Sequence, residues 1–167
     1  MSAGALTESG DTVTADVTTN GTFTAVGTFT PTGEVGENLA VTVTDNSVSA
    51  EITAEMRNKG GVISITVTSV EDNTKTDTVT YDVAKVYTID LAELSRVGDT
   101  VSGSVTTNDT TYTPTVTLDG TSVESSLITA TTNSISVDAT GLTGLLSITV
   151  TCDTDPTKSD TKTFTLI

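Results

Sequence analysis

Histidine and tryptophan are absent from this chain, and cysteine occurs once. Without histidine, every histidine-based triad and every histidine metal site is excluded. The single thiol, Cys152, cannot form an internal disulfide. Basic residues are also scarce. Arg57, Lys59, Lys75, Lys85, Arg96, Lys158 and Lys162 stand scattered against 22 acids, and the net charge is −15. Nucleic-acid binding needs clustered cations to neutralise phosphates, so no nucleic acid is expected as a partner. The same deficit argues against docking on an anionic membrane. No apolar run approaches the roughly 20 residues of a membrane helix, so no membrane association is expected. The opening Met1-Ser2-Ala3-Gly4-Ala5-Leu6-Thr7-Glu8 has neither the basic start nor the apolar core of a secretory signal, and a cytoplasmic site of synthesis is expected.

What the chain has instead is threonine, about a quarter of all residues, together with much valine. Both are β-branched and favour a pleated, half-buried surface over a helix. Apolar content is only 35%, but the apolar residues alternate with polar ones and can be gathered onto faces. The excess of negative charge is read as a device for solubility at high local concentration.

An internal duplication organises the 167 residues. Gly10-Asp11-Thr12-Val13-Thr14-Ala15-Asp16-Val17-Thr18-Thr19-Asn20 returns as Gly98-Asp99-Thr100-Val101-Ser102-Gly103-Ser104-Val105-Thr106-Thr107-Asn108, at an offset of 88. Asn46-Ser47-Val48-Ser49 returns as Asn133-Ser134-Ile135-Ser136, at 87. Ile63-Ser64-Ile65-Thr66-Val67-Thr68 returns as Leu146-Ser147-Ile148-Thr149-Val150-Thr151, at 83. The colinear order predicts two domains, 1–84 and 85–167, each of a size suited to a small independent sandwich. Almost no linker remains at Ala84-Lys85, which predicts restricted bending.

Period-two alternation predicts an all-β fold of two tandem immunoglobulin-like β-sandwiches with about seven strands each. Inward positions are expected at Val13, Ala15 and Val17; Leu39, Val41 and Val43; Val48, Ala50 and Ile52; Ile63, Ile65 and Val67; and Val79, Tyr81 and Val83. The second unit repeats them at Val101, Gly103 and Val105; Ile128 and Ala130; Ile135, Val137 and Ala139; Leu146, Ile148 and Val150; and Phe164 and Leu166. Asn20-Gly21, Asn108-Asp109, Asp119-Gly120 and Gly60-Gly61 supply residues that tolerate positive φ at turns. One helical turn is expected over Ala54–Lys59.

No catalytic, cofactor-binding or metal-ligating residue is expected, and the chain is read as not an enzyme. Cys152 continues the inward alternation of Ile148 and Val150, with Ser69 as its counterpart, so a buried structural thiol is expected rather than a nucleophile. Paired carboxylates can cleave glycosides, but only in a concave site, usually with aromatic sugar platforms that this chain lacks. Asp153-Thr154-Asp155 with Asp160, and Glu71-Asp72-Asn73 with Asp77, are acidic enough to raise calcium as an idea. Neither matches an EF-hand spacing, and turn-forming side chains in solvated loops are the simpler reading. Asn20-Gly21-Thr22 and Asn108-Asp109-Thr110 fit the N-glycosylation pattern, yet hairpin chemistry explains both.

Val97-Gly98-Asp99-Thr100-Val101, Ile135-Ser136-Val137-Asp138, the Gly141 to Gly144 turn, Leu146 to Thr151 and the closing Thr161-Lys162-Thr163-Phe164-Thr165-Leu166 together resemble bacterial immunoglobulin-like domains of the group 2 type. The first unit follows the same order through Gly36, Val48, Ile63 to Thr68 and Thr78 to Val83. The resemblance implies a sandwich fold and a role in display or adhesion. Such domains occur in tailed-phage virion proteins and in bacterial adhesins. A short, cysteine-poor pair is expected to be a capsid decoration protein on the virion exterior, assembled in the host cytoplasm. Its partner would be the major capsid protein or another virion protein, with weak contact to host surfaces or glycans. A fragment of a cell-surface adhesin or stalk, and a tail-tube or tail-fibre component, are the alternatives. The Thr53 to Gly61 connection, which carries Arg57 and Lys59, marks the first unit as the candidate for docking.

Overall fold

Alternate side chains of each strand turn to one face, so a strand rich in Val and Ile at every second position must find a second sheet to cover that face. The computed structural model describes all 167 residues and shows this solution twice. The chain divides into two compact units, Met1–Val86 and Tyr87–Ile167. The Val86 N–H donates to the Arg57 carbonyl at 2.7 Å and ties Lys85-Val86 to the first unit.

The first unit contains β1 (Ser2–Ala3), β2 (Thr7–Ser9), β3 (Thr12–Thr18), β4 (Phe23–Pro31), β5 (Glu37–Leu39), β6 (Thr42–Val43), β7 (Ser47–Glu51), α1 (Ala54–Lys59), β8 (Gly61–Ser69) and β9 (Thr76–Val83). One sheet has the order β1-β3-β7-β6, with β2 also on β3, and the other the order β5-β4-β8-β9. The second unit contains β10 (Ile89–Leu91), β11 (Ser95–Val97), β12 (Thr100–Thr107), β13 (Tyr112–Leu118), β14 (Thr121–Ser122), β15 (Ile128–Ala130), β16 (Ser134–Asp138), β17 (Gly144–Cys152) and β18 (Ser159–Leu166). Its sheets run β10-β12-β16-β15, with β11 on β12, and β14-β13-β17-β18. In immunoglobulin lettering both units are A-B-E-D over C′-C-F-G, all antiparallel, which defines the fold.

The strand count exceeds seven for two local reasons. The entry strand breaks at Gly4-Ala5-Leu6, where Leu6 turns into the core while the Gly4 N–H still donates to the Asp16 carbonyl at 2.8 Å. The expected single strand through Leu39, Val41 and Val43 is two strands on different sheets. Leu39 pairs with Gly27, and Val43 pairs with Val48. Val41 lies between them, and a side chain on Gly27 would come within 2.4 Å of its methyl group. In the second unit Ala130 is exposed on the short edge strand β15, contrary to its expected inward place.

Two turn expectations also change. Asp119-Gly120 is a two-residue hairpin with φ of 48° and 81°, as a type I′ turn requires. Asn20-Gly21 and Asn108-Asp109 are not hairpins. Each carries the chain from one sheet to the other, between β3 and β4 or β12 and β13. The tight A′–B hairpins instead turn on Gly10 and Gly98, with φ of 63° and 60°.

Each unit has its own core. Ile63, Ile65 and Val67 of β8, and Leu146, Ile148 and Val150 of β17, are all fully buried. The expected turn of helix forms as α1. Thr53 caps it by accepting the Met56 N–H at 3.2 Å, and Met56 plugs the core beneath. Truncating Ile65 to Ala should destabilise the first unit by about 2–5 kcal/mol, read from urea unfolding. An unchanged midpoint would show that β8 is not the packed centre of that unit.

Candidate functional site

The chemistry-bearing residues are dispersed. Cys152 ends β17 fully buried, with its Sγ 3.7 Å from both the Thr107 hydroxyl and the Thr88 carbonyl. Its counterpart Ser69 is also buried and donates to Glu71 at 3.2 Å. Its hydrogen-bonding neighbours are thus a hydroxyl and a backbone carbonyl.

The acidic loops are built from carboxylates already in use. Asp72 accepts from the Thr74 hydroxyl at 2.7 Å, and Asp155 from the Thr157 hydroxyl at 2.6 Å. These hydroxyls hold both carboxyls below the usual aspartate range. Asp153 accepts from Thr113 at 2.7 Å. Asp77 and Asp160 point the other way and tie the last strand of each unit to its first. Asp77 accepts the Ala3 N–H at 2.8 Å, and Asp160 accepts the Leu91 N–H at 2.9 Å. That backbone bond is the main reason Asp160 stays below its ordinary value. No three acidic or thiol side chains converge to hold a metal ion.

The loop end where β3 turns into β4 carries a brace that the sequence did not advertise. Glu71, on the β8–β9 loop, accepts the Thr22 N–H at 2.9 Å and the Thr22 hydroxyl at 3.1 Å. In the second unit the same two loops are joined with the roles exchanged. Asp109, on the β12–β13 turn, accepts the Thr154 N–H at 2.9 Å and the Thr154 hydroxyl at 2.9 Å. Glu71 aligns with Thr154 at the offset of 83, but Asp109 aligns with Gly21 and Thr22 with Thr110 at 88, so the two copies join the same loops through different positions. Beside each brace lies a shallow cleft against the turn that precedes β7 or β16. The first, about 400 Å³, is lined by Gly21, Thr22, Phe23, Val43, Thr44 and Asp45. The second, about 350 Å³, is lined by Thr110, Thr111, Tyr112, Ala130, Thr131 and Thr132.

At the other end of the first unit, Arg57 of α1 donates to Glu8 at 2.7 Å and Asp11 at 3.0 Å, and Tyr81 donates to the second oxygen of Glu8. Lys59 pairs with Glu34 and Glu55, both at 3.4 Å. The two bases expected to mark a docking surface are therefore committed within their own unit. The Tyr81 hydroxyl, and then Arg57, hold the Glu8 carboxyl below its usual range, and Glu8 in turn raises the Tyr81 phenol.

The outward C-F-G faces are tiled with hydroxyls. In the second unit, Thr113, Thr115 and Thr117 stand beside Leu145, Ser147, Thr149 and Thr151, and these beside Ser159, Thr161, Thr163 and Thr165. None is charged. In the first unit the matching rows are again mostly hydroxyls, with Asp82 as the one charge and Val26 and Val62 as exposed apolar positions. Equivalent cross-strand hydroxyl pairs join Thr66 to Thr78 at 2.9 Å and Thr149 to Thr161 at 2.8 Å.

No family model matches the chain, and no curated protein matches it. Solved structures of tandem immunoglobulin domains do. An I-band fragment of titin shares 15% identity with a TM-score of 0.42, covering 96% of this chain and 60% of the fragment. An E-to-A mutated three-immunoglobulin variant of the same titin region shares 12% identity with a TM-score of 0.43, covering 98% of this chain and 60% of its own. The titin z1z2 domains in complex with telethonin share 16% identity with a TM-score of 0.43, over 100% of this chain and 89% of theirs. The chain thus spans about 60% of the first two. The strand order inside each unit, rather than these likenesses, establishes the immunoglobulin-type sandwich.

Because Glu8 is depressed, the stability it contributes is present above the ordinary glutamate value and lost as pH falls through its lowered folded value. Because Tyr81 is raised, its share is present below the ordinary phenol value and lost as pH rises through the raised one. Tyr81→Phe should flatten both limbs of the first unit's stability-versus-pH curve, followed by thermal melting across pH; a curve identical to the parent protein's would refute the pairing. Cys152 should resist thiol reagents in the native protein and react at full rate once the second unit unfolds in urea. Rapid labelling under native conditions would contradict its burial.

Proposed function

We propose that this chain is a non-enzymatic structural module that works by surface contact, as a decoration protein on the exterior of a tailed-phage capsid. The observation that carries this reading is the distribution of polarity. A chain of net charge −15 keeps its broad C-F-G faces almost free of charge and rich in hydroxyls, while most of its acids occupy loops, edges and intramolecular braces, with Asp16 on β3 an exception. Such a surface stays hydrated and resists non-specific association when many copies are crowded on a lattice. The edge strands β6 and β14 have two residues each, whereas β9 and β18, at the far edges of the C-F-G sheets, have eight.

Duplication suits the role. One sandwich docks on the major capsid protein or another virion protein while the other projects, and repetition over the shell turns weak contacts with host surfaces into avidity. Electron microscopy and mass spectrometry of purified particles test this directly. The expected result is stoichiometric density at regular sites on the shell, lost when the gene is deleted and restored by adding purified protein. Absence from purified virions, or recovery from the surface of bacterial cells instead, would overturn it.

A further inference from the structure

We propose that Asn20-Gly21 is a site of spontaneous deamidation, a slow covalent switch at the braced loop end of the first unit. The chemistry needs an asparagine whose side-chain carbonyl can be reached by the backbone nitrogen of the next residue. That nitrogen attacks Asn20 Cγ and a C–N bond forms. The Cγ–Nδ2 bond breaks, and ammonia leaves with the proton given up by the Gly21 amide. Water then opens the resulting succinimide at either carbonyl and yields an aspartate or an isoaspartate at position 20. No oxidant, reductant or catalyst is required.

Three observations single out this residue. Asn20 is the one asparagine followed by glycine, and a following side chain hinders the attack. Asn20 and Gly21 are both exposed and lie between β3 and β4, outside any ladder; the Gly21 N–H makes a long local contact of 3.3 Å to the Thr19 hydroxyl. The duplicated position serves as an internal control. There, Asn108 Oδ1 is held at 2.8 Å by the Thr88 N–H, and the Asp109 N–H is held at 3.0 Å by the Thr107 hydroxyl. The Asp109 side chain adds hindrance, so the second unit carries a blocked version of the same turn.

The location gives the reaction a consequence. A side-chain carbon on Gly21 would lie 2.4 Å from the Glu71 carboxyl carbon, so that carboxylate packs directly on the turn. Deamidation places a second negative charge in the same turn, and the isoaspartate form inserts an extra backbone methylene there. Both act against the Glu71–Thr22 brace. The cleft of about 330 Å³ bounded by Met1, Thr19, Asn20, Gly21, Ser69 and Glu71 would change shape and charge with age.

The test is incubation of the full chain at neutral and mildly alkaline pH, with intact mass, peptide mapping and isoaspartyl methyltransferase labelling. Conversion is expected at position 20 first, with Asn108 lagging in the native protein. Unfolding in urea should narrow the gap between the two by releasing Asn108 from its partners. Asn20→Gln should abolish the early mass shift without altering the circular-dichroism spectrum. Retention of an intact Asn20 while Asn108 or another asparagine converts would overturn the proposal, as would an unchanged early mass shift in Asn20→Gln.

Discussion

Burial of alternate side chains against a facing sheet is the constraint on which everything else in this protein depends. The central strands β8 and β17 show it most clearly. Their inward residues are fully buried, and their outward residues are serine and threonine, save Val62 and Leu145. A shift of one residue in register would place the whole apolar set in water, so the pairing is strongly specified despite the low aromatic content. With no tryptophan and no disulfide, the cores rely on close packing of Val, Ile and Leu, helped by Phe29 in one unit and Leu118 at the equivalent place in the other.

Polar groups are arranged to finish what the ladders leave open. Asp77 and Asp160 connect the first and last strands of their units by accepting backbone N–H groups, in place of main-chain pairing. Glu71 and Asp109 join the same two loops from opposite sides. The exchange of acid and threonine between the copies indicates that the brace itself matters more than which loop supplies the charge. Acid is thus used structurally at several points in both units, and the large negative charge is not merely a solvated coat.

Much of this was legible in the residues. The duplication, the sandwich class, the inward places of Val13, Val48, Ile65 and Ile148, the buried thiol and the helical turn at Ala54–Lys59 all follow from periodicity and local preference. The division of Leu39 to Val43 between two sheets was not legible, because alternation says which side a residue faces but not which sheet receives it. Asn20-Gly21 was read as a hairpin because local turn chemistry does not distinguish a turn within a sheet from a crossing between sheets. The charges of Arg57 and Lys59 looked available for a partner because their acceptors, Glu8, Asp11 and Glu34, lie far away in sequence.

By itself, then, the order of residues determined the fold class, the repeat and the identity of most of the core, since those properties depend on period and composition within a strand. Only the tertiary structure decided which loops meet and which carboxylates are consumed as braces. Those outcomes depend on contacts between residues tens of positions apart, and a hydrogen bond of that kind leaves no periodic trace along the chain.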